Sequence, residues 1–133
     1  MTDDEIRSIL QTAKTVAVVG ISDSPERPSF GVAGFLQKHG YKIVPVNPTL
    51  DQVFGERSVA GLRDIQGPVD VVDIFRRPDA VPPIVEDAIT IGAKVVWMQE
   101  GVVNEDAAER ARSAGLQVVM DRCMKKEYVR LIG

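Results

Sequence analysis

The sequence TVAVVG, residues 15–20, decides the fold of this chain. Thr15 is followed by four apolar residues, Val16–Val19, and Gly20 ends this run. A strand with one solvent-exposed face alternates apolar and polar residues, whereas a strand buried on both faces is apolar throughout. The unbroken run therefore predicts a strand over Thr15–Val19 in a parallel sheet that is covered on both sides.

Comparable runs and helical segments follow along the rest of the chain. The apolar runs predict further strands at Tyr41–Val46, Val69–Phe75, Lys94–Met98 and Gln117–Met120. Helical spacing and capping signals predict helices over Asp3–Ala13, Phe30–His39, Pro78–Ile91, from the cap Asn104 to Gly115, and in a short basic segment at the end of the chain. Alternating strands and helices form right-handed βαβ units. We therefore expect an α/β fold, a Rossmann-like doubly wound five-stranded parallel sheet with helices on both faces, in a single domain of residues 1–133. Only Pro45 fits poorly, because proline lacks the N–H that a central strand needs.

Composition limits the classes of partner. The 133 residues carry a formal net charge of −3, which gives no general attraction to nucleic acid or to an anionic membrane surface. The acidic start MTDDEIRSIL is unlike a signal peptide, and no apolar run is long enough to cross a bilayer. With Cys123 as the single cysteine, we expect a reducing, cytoplasmic environment. The sequence leaves open a protein partner and the choice between monomer and homodimer.

Ligands of such sheets bind at the carboxyl ends of the strands, so the informative residues directly follow each strand. After the first strand the chain reads GISDSPERPSFG, residues 20–31. Gly20 permits a close backbone approach, Ser22 and Ser29 offer hydroxyl groups, and Arg27 offers a guanidinium. The next helix adds unpaired N–H groups at its positive end. The loop predicts a phosphate site, although it is not G-x-G-x-x-G; the alternative is a plain loop whose serines cap the helix.

The second strand is followed by Asn47-Pro48. A domain that binds NAD usually has an acidic residue here for the ribose hydroxyls, so the neutral asparagine disfavours NAD. The alternative to a ligand role for Asn47 is a turn in which its side chain bonds to the backbone.

Polar residues also follow the third and fourth strands. Phe75-Arg76-Arg77 sets two arginines beside an aromatic ring, an arrangement that could hold a phosphate and stack on an adenine. We favour Arg76, since Arg77 is equally well explained as a solvated turn residue. Gln99 and the backbone at Gly101 follow the fourth strand and could meet a ligand, whereas Trp97 is expected in the core.

No catalytic or metal-binding group emerges from the pattern. Cys123 follows the fifth strand, and the default interpretation is an inert buried thiol. His39, the only histidine, ends the first helix after a strand, which places it at the opposite edge of the sheet from Cys123. Glu100 has no evident partner. These residues form neither a nucleophile–base pair nor a metal cluster, so no catalytic and no metal-ligating residue is predicted.

The blocks VAVVGISDSPERPSFGVAGFLQKHGYKIVPVNP, VDVVDIFRRPDAVPPIVEDAI and GAKVVWMQEGVVNEDAAERARSAGLQVVMDRC carry a resemblance to a known family. Together they resemble the small stand-alone CoA-binding proteins, the YccU-like family, and more distantly the CoA-binding domain of the succinyl-CoA synthetase α subunit. The resemblance implies a five-stranded Rossmann-like fold with coenzyme A across the carboxyl ends of the strands. The cofactor-binding residues we predict are Gly20, Ile21, Ser22, Arg27, Ser29, Phe30, Asn47, Pro48, Phe75, Arg76, Gln99 and Gly101.

These observations predict a protein that binds coenzyme A or an acyl-CoA without catalysis, in a carrier or regulatory role. The residues alone indicate a nucleotide at the sheet edge; the resemblance selects coenzyme A. Two alternatives remain: an enzyme acting on an acyl-CoA thioester near Cys123 or Glu100, and an NAD-binding sensor domain.

Overall fold

The computed structural model describes residues 1–133 as five α-helices around one main sheet, with a small separate hairpin. In chain order the elements are α1 (Asp3–Thr12), β1 (Thr15–Val19), α2 (Pro28–Lys38), β2 (Lys42–Val46), β3 (Gln52–Val53), β4 (Glu56–Arg57), β5 (Val71–Ile74), α3 (Val81–Thr90), β6 (Val95–Met98), α4 (Glu105–Ser113), β7 (Gln117–Val119) and α5 (Met124–Leu131). Short 3₁₀ turns at Leu62–Asp64 and Pro78–Ala80 precede β5 and α3.

The main sheet is parallel throughout, with the strand order β2-β1-β5-β6-β7. From β1 the chain passes to β2 on one side and then crosses back to β5, β6 and β7 on the other. The strand order therefore reverses between β1 and β5, which opens a crevice at their carboxyl ends. The predicted α/β fold is confirmed, and every main strand begins and ends within two residues of its predicted bounds.

Both faces of the sheet are covered, which explains the unbroken apolar runs. Val16 and Val18 of β1 join one core together with apolar residues of α1, α2 and α5. Ala17 and Val19 point the other way and join a second core with α3 and α4. Each β1 side chain from Val16 to Val19 is thus buried, as a doubly covered strand requires.

Local capping signals set the helix ends. The Thr2 hydroxyl accepts a bond from the Glu5 N–H at 3.2 Å, and the Glu5 carboxylate accepts from the Thr2 N–H at 3.0 Å. The Asn104 side chain caps α4 by accepting from the Ala107 N–H at 2.9 Å. None of the helices has both the length and the apolar character that crossing a membrane requires.

The helix predicted over Pro78–Ile91 is wrong at its beginning. Pro82 and Pro83 have no N–H to donate to the carbonyls one turn earlier, so regular α-helical bonding cannot reach back to the predicted start. The chain instead makes the separate 3₁₀ turn Pro78–Ala80, and α3 begins at Val81.

Pro45 is accommodated because β2 lies at the edge of the main sheet. Its carbonyl accepts a bond from the Val59 N–H at 3.1 Å, and the Asn47 N–H donates to the Val59 carbonyl at 2.9 Å. This side of β2 faces away from β1, where no neighbouring strand needs a proline N–H. The contact with Val59 follows the β3–β4 hairpin, which the sequence did not predict.

Candidate functional site

A cavity of about 850 Å³ lies at the carboxyl edge of the sheet, at the point where the strand order reverses. The segments that follow β1, β2, β5, β6 and β7 all contribute to its walls. Loops that are far apart in the chain therefore converge on one space, as the position of ligand sites in such sheets predicts.

Gly20 begins the β1–α2 loop because no other residue fits there. Its φ of +83° lies in the left-handed region that side chains disfavour. A Cβ at this position would lie 2.4 Å from the Phe75 carbonyl oxygen and 2.8 Å from Cδ of Arg76. The missing side chain thus lets the loop after β1 lie directly against the loop after β5.

Two serine hydroxyls fold the same loop. Oγ of Ser29 accepts a bond from the Ser22 N–H at 2.9 Å, and Oγ of Ser22 accepts from the Ser24 N–H at 3.0 Å. Both serines line the cavity, and each hydroxyl still has a proton to donate. The alternative in which the serines cap α2 is wrong, since the N-cap residue is Arg27 and no side chain caps the helix.

The beginning of α2 is consequently open towards the cavity. Pro28 at the first helical position has no N–H, and the Ser29 N–H donates to no group within the chain. Arg27, Pro28 and Ser29 all line the cavity. A free donor and the positive end of an 11-residue helix therefore face this space.

The arginines at the cavity differ in their partners. Arg27 and Arg76 are exposed, and neither lies within 4 Å of a carboxylate or donates a side-chain hydrogen bond. Arg77 also lines the cavity, but its guanidinium lies 3.5 Å from the carboxylate of Asp79. Glu100 at the same rim is paired with Lys126 at 2.9 Å. Two guanidinium groups without an ion pair thus remain, in a chain whose net charge is negative.

Asn47 bonds within the protein through both of its side-chain polar atoms. Its amide nitrogen donates to the Ile21 carbonyl at 2.7 Å, and its Oδ1 accepts from both the N–H and the hydroxyl of Thr49. The turn interpretation of Asn47 is therefore confirmed. The bonds join the β2 exit to the β1 exit, so Asn47 shapes the wall that it lines.

Gln99 lies at the buried side of the cavity and contacts a carboxyl group inside the sheet. Its Nε2 donates to Oδ1 of Asp73 at 2.5 Å, and it is only 4% exposed. Asp73 of β5 is fully buried, and its Oδ2 has no partner. Burial raises the pKa of Asp73 from 3.8 to about 7, against the opposing effect of the bond from Gln99. No pattern in the sequence indicated this role, because Asp73 stands inside a strand rather than after one.

Cys123 is 8% exposed, precedes α5 and lines the cavity. The backbone of the preceding residue, Arg122, is bonded to β6. The indole N–H of Trp97 donates to the Arg122 carbonyl at 2.8 Å, and the Arg122 N–H donates to the Met98 carbonyl. His39 follows α2 at the opposite edge of the sheet, stacked on Phe35 with 4.0 Å between ring centroids. The only histidine therefore does not line the cavity that the only thiol lines.

Ten of the twelve predicted residues line this cavity, namely Gly20, Ile21, Ser22, Arg27, Ser29, Asn47, Phe75, Arg76, Gln99 and Gly101. Phe30 and Pro48 do not line it. The Phe30 ring turns away and packs against Phe54, with 4.6 Å between centroids. Pro48 is exposed within the turn that Asn47 closes. The prediction missed the apolar wall residues Val32, Leu50 and Val102, which no motif marks, and also missed Asp23, Pro28, Thr49 and Pro78.

Comparison with known proteins identifies the family. Residues 14–129 match the family model described as a CoA binding domain. The protein YneT of Bacillus subtilis (strain 168) is 45% identical over 121 residues, which are 91% of this chain and 90% of YneT. The solved structure of a hypothetical protein from Pyrococcus horikoshii OT3 is 43% identical, with a TM-score of 0.97 over 100% of this chain and 94% of that one.

A more distant similarity extends to a large enzyme. The ADP-forming acetate–CoA ligase II of Archaeoglobus fulgidus is 31% identical over 122 residues, which are 90% of this chain but 18% of the ligase. The similarity predicted from the sequence blocks, to stand-alone CoA-binding proteins and to a domain of CoA ligases, is thereby confirmed. Because the family model matches nearly the whole chain, the chain belongs to the CoA binding domain family.

Proposed function

We propose that this protein binds coenzyme A in the cavity at the carboxyl edge of the sheet. The observation that carries the proposal is the pair of arginines without an ion pair, Arg27 and Arg76, beside the uncapped beginning of α2. Coenzyme A has a pyrophosphate and a 3′-phosphate, and charge-assisted bonds from guanidinium and helix N–H groups suit such groups. Membership of the CoA binding domain family supports the same ligand.

The dimensions of the cavity suit a small-molecule ligand, and the bonding of Asn47 supports coenzyme A over NAD. A cavity of about 850 Å³ lies within the range of about 300–1,000 Å³ that is usual for small-molecule sites. An NAD site needs an acceptor for the ribose hydroxyls after the second strand, where this chain has an asparagine whose polar atoms are already bonded to Ile21 and Thr49.

Thermal unfolding with added ligand tests the proposal. Coenzyme A at about 100 times its Kd adds roughly 2.7 kcal/mol to the free energy of unfolding, because it binds only the folded chain. We expect a clear rise of the melting temperature with coenzyme A and a much smaller one with NAD at equal concentration. Equal shifts with the two ligands, or no shift with coenzyme A, would contradict the proposal.

Arginine variants test the placement of the phosphates. Arg27→Ala and Arg76→Ala are each expected to weaken coenzyme A binding about tenfold or more, since a hydrogen bond to a charged group contributes roughly 1.5–3 kcal/mol. Arg57→Ala is the matched control, because Arg57 is exposed, lies outside the cavity and makes no ion pair. Unchanged affinity in both cavity variants by calorimetry would show that the phosphates bind elsewhere.

The proposed role is carriage or sensing of coenzyme A, without catalysis. Cysteine catalysis usually needs a base near the thiol. His39 lies at the other edge of the sheet, and the Glu100 carboxylate is occupied by Lys126. A pull-down whose captured partner changes on addition of coenzyme A would support sensing over carriage.

One observation favours a second candidate, an enzyme acting on acyl-CoA thioesters: the thiol of Cys123 lines the same cavity. Cys123→Ser distinguishes the two functions. The proposal predicts equal coenzyme A affinity in variant and parent, and no thioesterase or acyltransferase activity in either. Turnover that the parent shows and the variant loses would establish the enzyme instead.

A further inference from the structure

The buried side of the cavity contains a hydrogen-bonded pair, Gln99 and Asp73, that has no role in the proposed function so far. Gln99 and Asp73 are 4% and 0% exposed, and Nε2 of Gln99 donates to Oδ1 of Asp73 at 2.5 Å. Gln99 lines the cavity, whereas Asp73 lies behind it within β5. The carboxyl group therefore cannot touch a ligand directly, but it holds a residue that can.

The pair fixes which end of the Gln99 amide faces the ligand. In the structure Oδ1 of Asp73 accepts the bond from Nε2 of Gln99, so the NH₂ end of the amide is turned towards the carboxyl group. Oε1 of Gln99 accepts no bond within the chain. The one enclosed side-chain polar atom without a partner is Oδ2 of Asp73, so Oε1 of Gln99 is not enclosed. Because Gln99 is otherwise buried and lines the cavity, Oε1 is open to the cavity itself.

We propose that Asp73 is a positioning residue that keeps Oε1 of Gln99 turned into the cavity, as an acceptor for an amide N–H of the ligand. This inference rests on the proposed function. The phosphates of coenzyme A belong to its nucleotide half and go to the exposed Arg27 and Arg76 at the rim. The uncharged arm, which contains two amide groups, then reaches the buried side where Gln99 lies. A ligand N–H that donates to Oε1 should strengthen binding, because a buried acceptor left unpaired costs free energy.

The test compares two ligands across a double-mutant cycle. Asp73→Val removes the carboxyl group, Gln99→Met removes the amide at similar length, and the double variant removes both. We expect each single variant to weaken coenzyme A binding roughly three- to tenfold, the effect of one neutral hydrogen bond. Adenosine 3′,5′-bisphosphate, which lacks the arm, should bind all variants equally. The double variant should bind coenzyme A no more weakly than either single variant, since both changes remove the same bond.

A purely structural role for Asp73 gives different results. Equal losses for both ligands, additive losses in the double variant, or unchanged coenzyme A affinity in Asp73→Val would overturn the inference. Asp73→Ala replaces Asp73→Val if the larger side chain prevents folding, because alanine cannot overpack the site.

A readout in the ligand-free protein separates this inference from the proposed function. The side-chain NH₂ resonances of Gln99, assigned by their loss in Gln99→Met, should shift in Asp73→Val. If the parent binds neither ligand, the proposed function fails, and the resonances alone decide whether Asp73 holds the amide. Resonances that do not move in Asp73→Val would contradict the positioning role whatever the ligand.

Discussion

Replacing Asp73 with asparagine is expected to stabilise the chain at alkaline pH. The carboxyl group is fully buried, its Oδ2 has no partner, and its one bond comes from a neutral amide, that of Gln99. Burial therefore holds its pKa at about 7 in the folded chain, against 3.8 for a free carboxyl group. Asparagine keeps the shape and can still accept the bond from Gln99 through its own Oδ1.

The pH range of the effect follows from the direction of the shift. Below about pH 4 Asp73 is protonated in the folded and unfolded chains, so its charge affects neither. Between about pH 4 and 7 the folded chain retains a proton that the unfolded chain releases, and the parent loses stability as the pH rises. Above pH 7 the full cost applies. At about 1.4 kcal/mol for each tenfold change in proton affinity, that cost is at most about 4 kcal/mol.

Urea unfolding of both proteins at several pH values measures the effect. The difference in the free energy of unfolding between variant and parent should rise from pH 4 to pH 7 and then level off. The unpaired NH₂ of the new amide can add only an offset that does not depend on pH. A difference that stays constant across this range, or that falls with rising pH, would refute the assignment of a buried, weakly compensated carboxyl group to Asp73.

Two further substitutions test the parts of the fold that position the site. Gly20→Ala should destabilise the chain by at least about 1–2 kcal/mol in urea unfolding, from its left-handed backbone alone and before the clash with the β5 exit. Gly31→Ala is its control and should stabilise by about 1 kcal/mol, since a Cβ there meets nothing within 4 Å in a helix of ordinary φ. At Asp70, burial would raise the pKa, but bonds from two backbone N–H groups and a lysine outweigh it and lower the pKa. Asp70→Asn should therefore cost stability near pH 7, and the deficit should shrink as the pH falls through the lowered pKa.

The contrast between Asp70 and Asp73 shows what the sequence could not predict. Both stand in the same block, VDVVDIF, and nothing in their spacing separates them. Asp70 precedes β5, where its Oδ2 accepts the N–H groups of Lys14 and Thr15 at 2.8 and 3.0 Å. Asp73 lies three residues later inside the strand, and its carboxyl group is hydrogen-bonded only to Gln99. Their opposite pKa shifts arise from tertiary contacts, which residue patterns along the chain do not record.

The fold was more predictable, because a doubly covered parallel sheet has a strong local signature. Every strand of the main sheet is short and almost entirely apolar. The first and last residues of so short an apolar run can therefore be predicted closely. The β3–β4 hairpin was not predicted because two-residue strands are too short to show any periodicity. The start of α3 was misplaced because apolar spacing continues through Pro82 and Pro83, whereas backbone hydrogen bonding does not.

The polar groups of the cavity that are already bonded can be separated from those that are free, and the free ones indicate the shape of the ligand. Asn47 is occupied within the protein, and the serine oxygens already accept bonds that fold the β1–α2 loop. At the exposed rim Arg27 and Arg76 remain without an ion pair beside the open end of α2, and the carboxylate of Asp23 lines the same cavity. What remains free at the buried side is a neutral acceptor, Oε1 of Gln99. A ligand that satisfies both must be anionic at one end and a neutral hydrogen-bond donor at the other. Coenzyme A has that distribution, with its phosphates in the nucleotide half and two amide N–H groups along the uncharged arm.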